Sequence, residues 1–247
     1  MRATVLGCPV DVVDEGTAVD ALVSLVERRR NDHTRPGGIV VTLNPEMVML
    51  ARRDAEFRST VAGAALLIPD GIGIVRAVRR RGFPRASRVT GADTLLAYLP
   101  EAARRGHRLA LAGAAPGVAA VAATRLRQRF PGLEVVAADS GDPDAAMARR
   151  LQDARPDMVW AAFGFGKQEL FLSHHLDMIG AGAGVGVGGT LDYIAGRALR
   201  APRPVQKAGL EWAWRLVLEP WRLRRQLQLP RFWVLERREA RRMRQPR

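Results

Sequence analysis

Residues 38–45 read Gly-Ile-Val-Val-Thr-Leu-Asn-Pro: an apolar, β-branched run that ends in a polar pair and a proline. A run of about six such residues suits a strand buried on both faces. Asn44 followed by Pro45 suits the cap and first position of a helix. The alternation recurs along the chain. Further apolar, strand-like runs are expected at 64–68, 108–112, 133–138, 158–163 and 184–187, with helices over 46–58, 72–81, 118–129 and 168–179. Strands separated by helices are βαβ units. The expected fold class is therefore α/β, a Rossmann-like, mostly parallel sheet with helices on both faces. Ligands of such sheets bind beyond the carboxyl ends of the strands, so the residues just after each apolar run carry the chemistry.

At 247 residues the chain is long for one domain and short for two, which suggests one core with an appendage. Apolar residues make up 47% and charged residues 26%, a globular composition. Thirty-nine Lys and Arg against 25 Asp and Glu give +14, and only Lys167 and Lys207 are lysines. Arginine is the better fork for phosphate, so an acidic partner is expected: a nucleotide, a nucleic acid or an anionic membrane. The single cysteine, Cys8, excludes an internal disulfide and fits a reducing compartment. The N-terminus reaches Asp11 too soon for a signal peptide. The longest apolar stretch, 178–191, carries six glycines and falls short of the roughly 18 residues a spanning helix needs. His33, His107, His174 and His175 fall at no metal-ligand spacing, so neither a metal nor a cofactor is expected.

The composition changes near residue 196, which suggests a core over 1–196 and an appendage over 197–247. Residues 203–247 hold 13 basic and 4 acidic residues and four of the five tryptophans. Leu210, Trp214, Val217 and Leu218 share one helical face, and Arg215, Arg222 and Arg225 lie off it. Basic helices rich in Trp and Leu suit a membrane interface. The same composition also fits an arginine-rich helical pair packed on the core, or aromatics stacking on nucleic-acid bases.

Four strand ends hold polar residues. Thr42 and Asn44 close the first. Ile68-Pro69-Asp70-Gly71 sets Asp70 before a helix, either as its cap or as a general base kept ionised by the helix dipole. In 163–169, Phe-Gly-Phe-Gly-Lys-Gln-Glu, the glycines permit close backbone approach and Gln168 could bond sugar hydroxyls; the plainer reading is a glycine turn and a solvated first turn of helix. Residues 184–189 match G-x-G-x-x-G, but no acidic residue stands some 20 positions on; the nearest is Glu211. A nucleotide diphosphate against this glycine-rich backbone is the alternative to a dinucleotide.

In order along the chain, Thr42-Leu43-Asn44, Pro69-Asp70-Gly71, Arg88-Val89-Thr90-Gly91, Leu111-Ala112-Gly113, Phe130-Pro131-Gly132, Lys167-Gln168-Glu169, 186–192, Arg200-Ala201-Pro202 and the set Glu211-Trp212, Arg215, Glu219-Pro220, Arg222 and Arg225 resemble the WecG/TagA/CpsF glycosyltransferase family (glycosyltransferase family 26). The resemblance implies an inverting, metal-independent transfer of a sugar, often N-acetylmannosamine, from a UDP-sugar to an undecaprenyl-diphosphate-linked sugar at the cytoplasmic face of the membrane. It implies Asp70 as base and Thr42, Asn44, Arg88 and Gln168 as substrate-pocket residues. Gly189 and Asp192 would lie on the nucleotide side, with Arg215, Arg222 and Arg225 on the diphosphate. No nucleic-acid partner is implied. Two departures stand out: Gly166 replaces a proline before Lys167-Gln168-Glu169, and Gly141-Asp142-Pro143 replaces Gly-Tyr-Phe. The rival readings are a basic nucleic-acid-binding α/β protein and a nicotinamide-dependent oxidoreductase resting on 184–189.

Overall fold

The computed structural model describes residues 1–218, 220 and 223–244; the side chains of Lys207, Arg215, Arg224, Arg225 and Arg244 are also outside the description. The chain begins with an antiparallel hairpin, β1 (Arg2–Val5) and β2 (Cys8–Asp11), followed by α1 (Glu15–Asn31). Six parallel strands then form one sheet: β3 (Gly38–Leu43), β4 (Leu66–Pro69), β5 (Arg108–Gly113), β6 (Glu134–Asp139), β7 (Met158–Ala162) and β8 (Ala183–Gly186), in the order β4-β3-β8-β7-β5-β6. The α/β expectation holds.

Alternate residues of the strands feed opposite layers, as strand geometry requires. Val40, Leu109 and Leu111 join a cluster with α1, α5 (Gly91–Arg105), α6 (Val118–Arg129) and α9 (Thr190–Ile194). On the other face, Val41 and Leu43 pack with the hairpin, α2 (Pro45–Ala51), α3 (Ala55–Ala62) and α4 (Ile72–Arg80). Ala110 and Ala112 pack with α7 (Ala145–Ala154) and α8 (Lys167–Ile179). Helices thus cover both faces, and the Leu67 amide at the β4 edge donates to Asp11 of the hairpin (2.9 Å).

One expected helix is two. The stretch 46–58 breaks after Ala51, and Asp54 restarts it as the cap of α3, accepting from the Phe57 amide (2.9 Å) and turning Phe57 into the core. His107, considered above only for metal spacing, is a core residue between the Tyr98 hydroxyl (2.6 Å) and Glu27 (2.9 Å).

The C-terminal helices are α10 (Arg203–Lys207), α11 (Glu211–Leu218), α12 (Leu223–Gln226) and α13 (Gln228–Arg244). The last is fastened to the core. Phe232 is fully buried in the cluster of the hairpin, α2, α3 and α4, and Trp233 packs against the same cluster. Glu236, also fully buried, pairs with Arg80 and Arg81, and Glu239 accepts from the Leu6 amide (2.9 Å). By contrast, Leu210, Val217, Leu218, Leu223 and Leu227 are exposed. No helix among the described residues is long and apolar enough to cross a membrane.

Candidate active site

A cleft of about 680 Å³ opens at the carboxyl ends of β3, β4, β7 and β8. Its floor is the sheet edge and its far side is built by Gly209, Glu211, Trp212, Gln226, Leu229, Pro230 and Trp233 of the C-terminal segment. Thr42, Asn44, Asp70, Arg88, Gln168, Gly189 and Asp192 all line it. Residues far apart in sequence meet there because every strand of the sheet points the same way.

Each wall has a local reason. Asn44 caps α2, its Oδ1 accepting from the Met47 amide (3.0 Å) with Pro45 at the first helical position, so the capping and cleft readings hold together. Gly91 must be glycine because a Cβ would lie 2.4 Å from the Thr42 methyl; this seats α5 directly against Thr42. At the end of β4 the Asp70 amide donates to the Leu43 carbonyl (2.9 Å). Gly71, at φ +88°, is the N-cap of α4, which has no side-chain cap bond. Asp70 is therefore not the cap of α4, and its half-buried carboxylate stands in the cleft wall.

Arg88 is committed to the C-terminal segment as well as to the cleft. It donates to the Gln206 carbonyl (2.8 Å) and pairs with Glu211. Arg200 bonds both oxygens of Asp93 (2.6 and 2.8 Å) and lies 3.7 Å from Glu211. Burial opposes the charge of Asp93, but the bonds from Arg200 and Thr90 outweigh it and hold the carboxyl below its usual range. In the sequence Arg200 stands only as a motif letter and Glu211 as a motif letter and the nearest acid after 184–189; the structure makes them, with Arg88, the strap across one end of the cleft. Arg222 lies outside the described residues, as do the side chains of Arg215 and Arg225, so the diphosphate arginines expected there have no placement.

Gln168 and Glu169 depart from the expectation of a solvated first turn: both are buried. The Gln168 Nε2 donates to Glu169 (2.7 Å), and its Oε1 accepts from the Gly188 amide (3.2 Å). Glu169 also accepts from the Gly166 amide (2.9 Å). Burial raises the Glu169 carboxyl despite the opposing hydrogen bond from Gln168. The glycines of 184–189 explain the close packing. A Cβ on Gly184 would lie 2.7 Å from Leu172, and one on Gly186 would lie 2.4 Å from Gln168. They let α8 lie against β8, which accounts for the G-x-G spacing without a dinucleotide. Among the described residues no group of three His, Cys, Asp or Glu could hold a metal. The one Asp-x-Asp, Asp142-Pro143-Asp144, which the sequence reading overlooked, lies after edge strand β6 and does not line the cleft; Asp144 caps α7 (2.8 Å to the Met147 amide).

A family model for the glycosyl transferase WecG/TagA/CpsF family matches residues 3–246. The chain belongs to that family. It is 32% identical over 225 residues, 90% of this chain and 86% of the relative, to an N-acetylglucosaminyldiphosphoundecaprenol N-acetyl-beta-D-mannosaminyltransferase of Bacillus spizizenii. To the protein of that name in Bacillus subtilis it is 29% identical over 198 residues, 79% of this chain and 77% of the relative. In this glycosyltransferase Thr42, Asp70, Arg88, Gln168 and the 186–192 loop face one cleft, whereas 111–113 and 130–132 do not line it.

Proposed function

We propose that this transferase moves a hexose from a UDP-sugar to a sugar linked to undecaprenyl diphosphate, with inversion and without a metal. The carrying observation is Asp70: a carboxylate at the carboxyl end of β4, in the wall of the cleft, beside a helix N-terminus that a glycine rather than its own side chain caps. The helix dipole favours its ionised form. Asp70 takes the proton of the acceptor hydroxyl as that oxygen attacks the anomeric carbon, and the bond to the UDP oxygen breaks on the opposite face. Charge then develops on the leaving diphosphate. Arginines of the C-terminal segment (Arg215, Arg222 and Arg225) would neutralise it, with the nucleotide lying along Gly189 to Asp192.

The acceptor is lipid-linked in the relatives' names, and this chain's exposed Val217, Leu218, Leu223 and Leu227 would rest on an anionic membrane surface beside the cleft. The transferase would then work peripherally at the cytoplasmic face. UDP release by purified protein, with a detergent-solubilised polyprenyl-diphosphate sugar and a panel of UDP-sugars, tests the proposal. Acceptor-dependent release that EDTA leaves unchanged is the expected result. No release from any donor with folded protein and lipid present would refute it.

A further inference from the structure

Glu169 is a completely buried carboxylate, and no lysine or arginine pairs with it among the described residues. Two N–H donors meet it: the Gly166 amide on one oxygen and the Gln168 Nε2 on the other. Burying an uncompensated carboxylate is costly, and capping α8 alone would need only a neutral acceptor. We infer that Glu169 is a positioning residue for sugar transfer, locking the Gln168 carboxamide against the Gly186–Gly188 turn; this rests on the reading of the cleft as the transfer site.

The lock follows from hydrogen-bond polarity. Gln168 gives an N–H to Glu169 and takes one from Gly188. Turned over, its oxygen would face the carboxylate and its NH2 would face the Gly188 N–H, so only one orientation satisfies all three groups. Gly186 presses the pair flat, because a Cβ there would lie 2.4 Å from Gln168 Nε2 and 2.5 Å from Glu169 Oε1. The chain of bonds Gly166–Glu169–Gln168–Gly188 thus ties together two loops that both line the cleft, one carrying Gly164 and Phe165 and the other Gly188 and Gly189. The second N–H of Gln168 is then held at a set position for an oxygen of the substrate. Gly166 supplies the lock with a backbone N–H that a proline at this position would lack.

The test compares wild type, Glu169→Gln, Gln168→Ala and the double variant in steady-state transfer, with exchange of the Gly188 amide followed by NMR. Glu169→Gln keeps the shape but turns an NH2 toward one of two donors. Its kcat is expected to fall about 10²-fold, the scale of a small misplacement of a positioned group, with KM for the donor changed less than about threefold. The Gly188 amide should exchange faster in both single variants. The double variant should lose no more than Gln168→Ala alone, because one residue acts through the other. Losses that multiply, wild-type turnover in Glu169→Gln, or an unchanged Gly188 amide would overturn the inference. If Glu169→Gln does not fold, Glu169→Asp, whose shorter side chain keeps the charge but cannot reach both donors, gives the same readouts. If wild type transfers no sugar, the proposed function fails, while Gly188 exchange still decides whether Glu169 holds Gln168.

Discussion

Two seams of this glycosyltransferase bury a carboxylate completely and use it in opposite ways. Between α4 and α13, Glu236 meets Arg80 and Arg81; burial alone would raise its carboxyl, but the two guanidinium groups prevail and hold it below the ordinary range. Between α8 and β8, Glu169 meets only N–H donors among the described residues, and burial prevails, raising its carboxyl. The first arrangement fastens one element to another. The second keeps a polar group under tension with its surroundings, in the wall of the cleft, where pre-organisation has a use. Both carboxylates are closed to solvent, but Glu169 lies the deeper of the two; depth and the chemistry of the partners together separate a structural carboxylate from a positioning one.

The comparison can be broken at the α13 seam. Phe232→Ala removes a fully buried ring from the cluster of the hairpin, α2 and α4. It is expected to cost about 3–5 kcal/mol of stability in chemical denaturation. Glu236→Gln takes from Arg81, whose side chain is only 5% exposed, one of its two carboxylate partners and leaves it Glu239; it should cost about 3 kcal/mol, the low end for a broken buried pair because Arg81 keeps one partner and Arg80 is partly solvated. Neither variant, while folded, should quicken exchange of the Gly188 amide; if Glu236→Gln does, the two seams are not independent.

The pH dependence sharpens the contrast. A carboxyl lowered in the folded state contributes stability that is present above its unfolded value and lost as pH falls through its folded value. The gap in stability between wild type and Glu236→Gln should therefore be widest near pH 7 and should close in acid. Glu169 has the opposite sign: its raised carboxyl favours the folded state at low pH, and that contribution is lost as pH rises from the unfolded value to the folded one. The stability of wild type relative to Glu169→Gln should therefore rise, not fall, toward acid. Denaturation midpoints from neutral pH into acid check both signs.

The smallest effect concerns the exposed apolar side chains. Val217 is 77% and Leu227 67% exposed. Val217→Asp and Leu227→Asp should each weaken sedimentation with anionic vesicles about tenfold, the order of one apolar side chain's burial, and should leave denaturation unchanged. Equal vesicle binding by these variants would remove α11 and α12 from the membrane surface.

Much of the fold was legible because its signals are local. Runs such as Ile39-Val-Val-Thr-Leu43, bounded by Gly and Asn-Pro, announce buried strands, and the parallel order follows from the helices between them. The hairpin escaped because its strands have four residues each, and its turn uses Leu6 at φ +50° before Gly7, where an asparagine would have signalled it. Pro100 inside α5 hid that helix. The candidate site was legible where a polar residue closes a strand, as at Thr42, Asn44 and Asp70. It was not legible at Glu169, because the burial of that carboxylate depends on glycines in β8 that let α8 approach. Nor could composition divide the C-terminal segment. One arginine- and tryptophan-rich stretch yields α13, docked through Phe232, and α11 with α12, which expose their apolar residues.

The central claim is that Asp70 is the base of a glycosyl transfer, and Asp70→Asn tests it most directly. Single-turnover transfer from the donor that wild type uses would be measured beside calorimetric UDP affinity. Transfer slowed about 10²–10⁴-fold, the range a general base supplies, with UDP affinity unchanged, is the predicted result. Transfer at the wild-type rate by Asp70→Asn would contradict it.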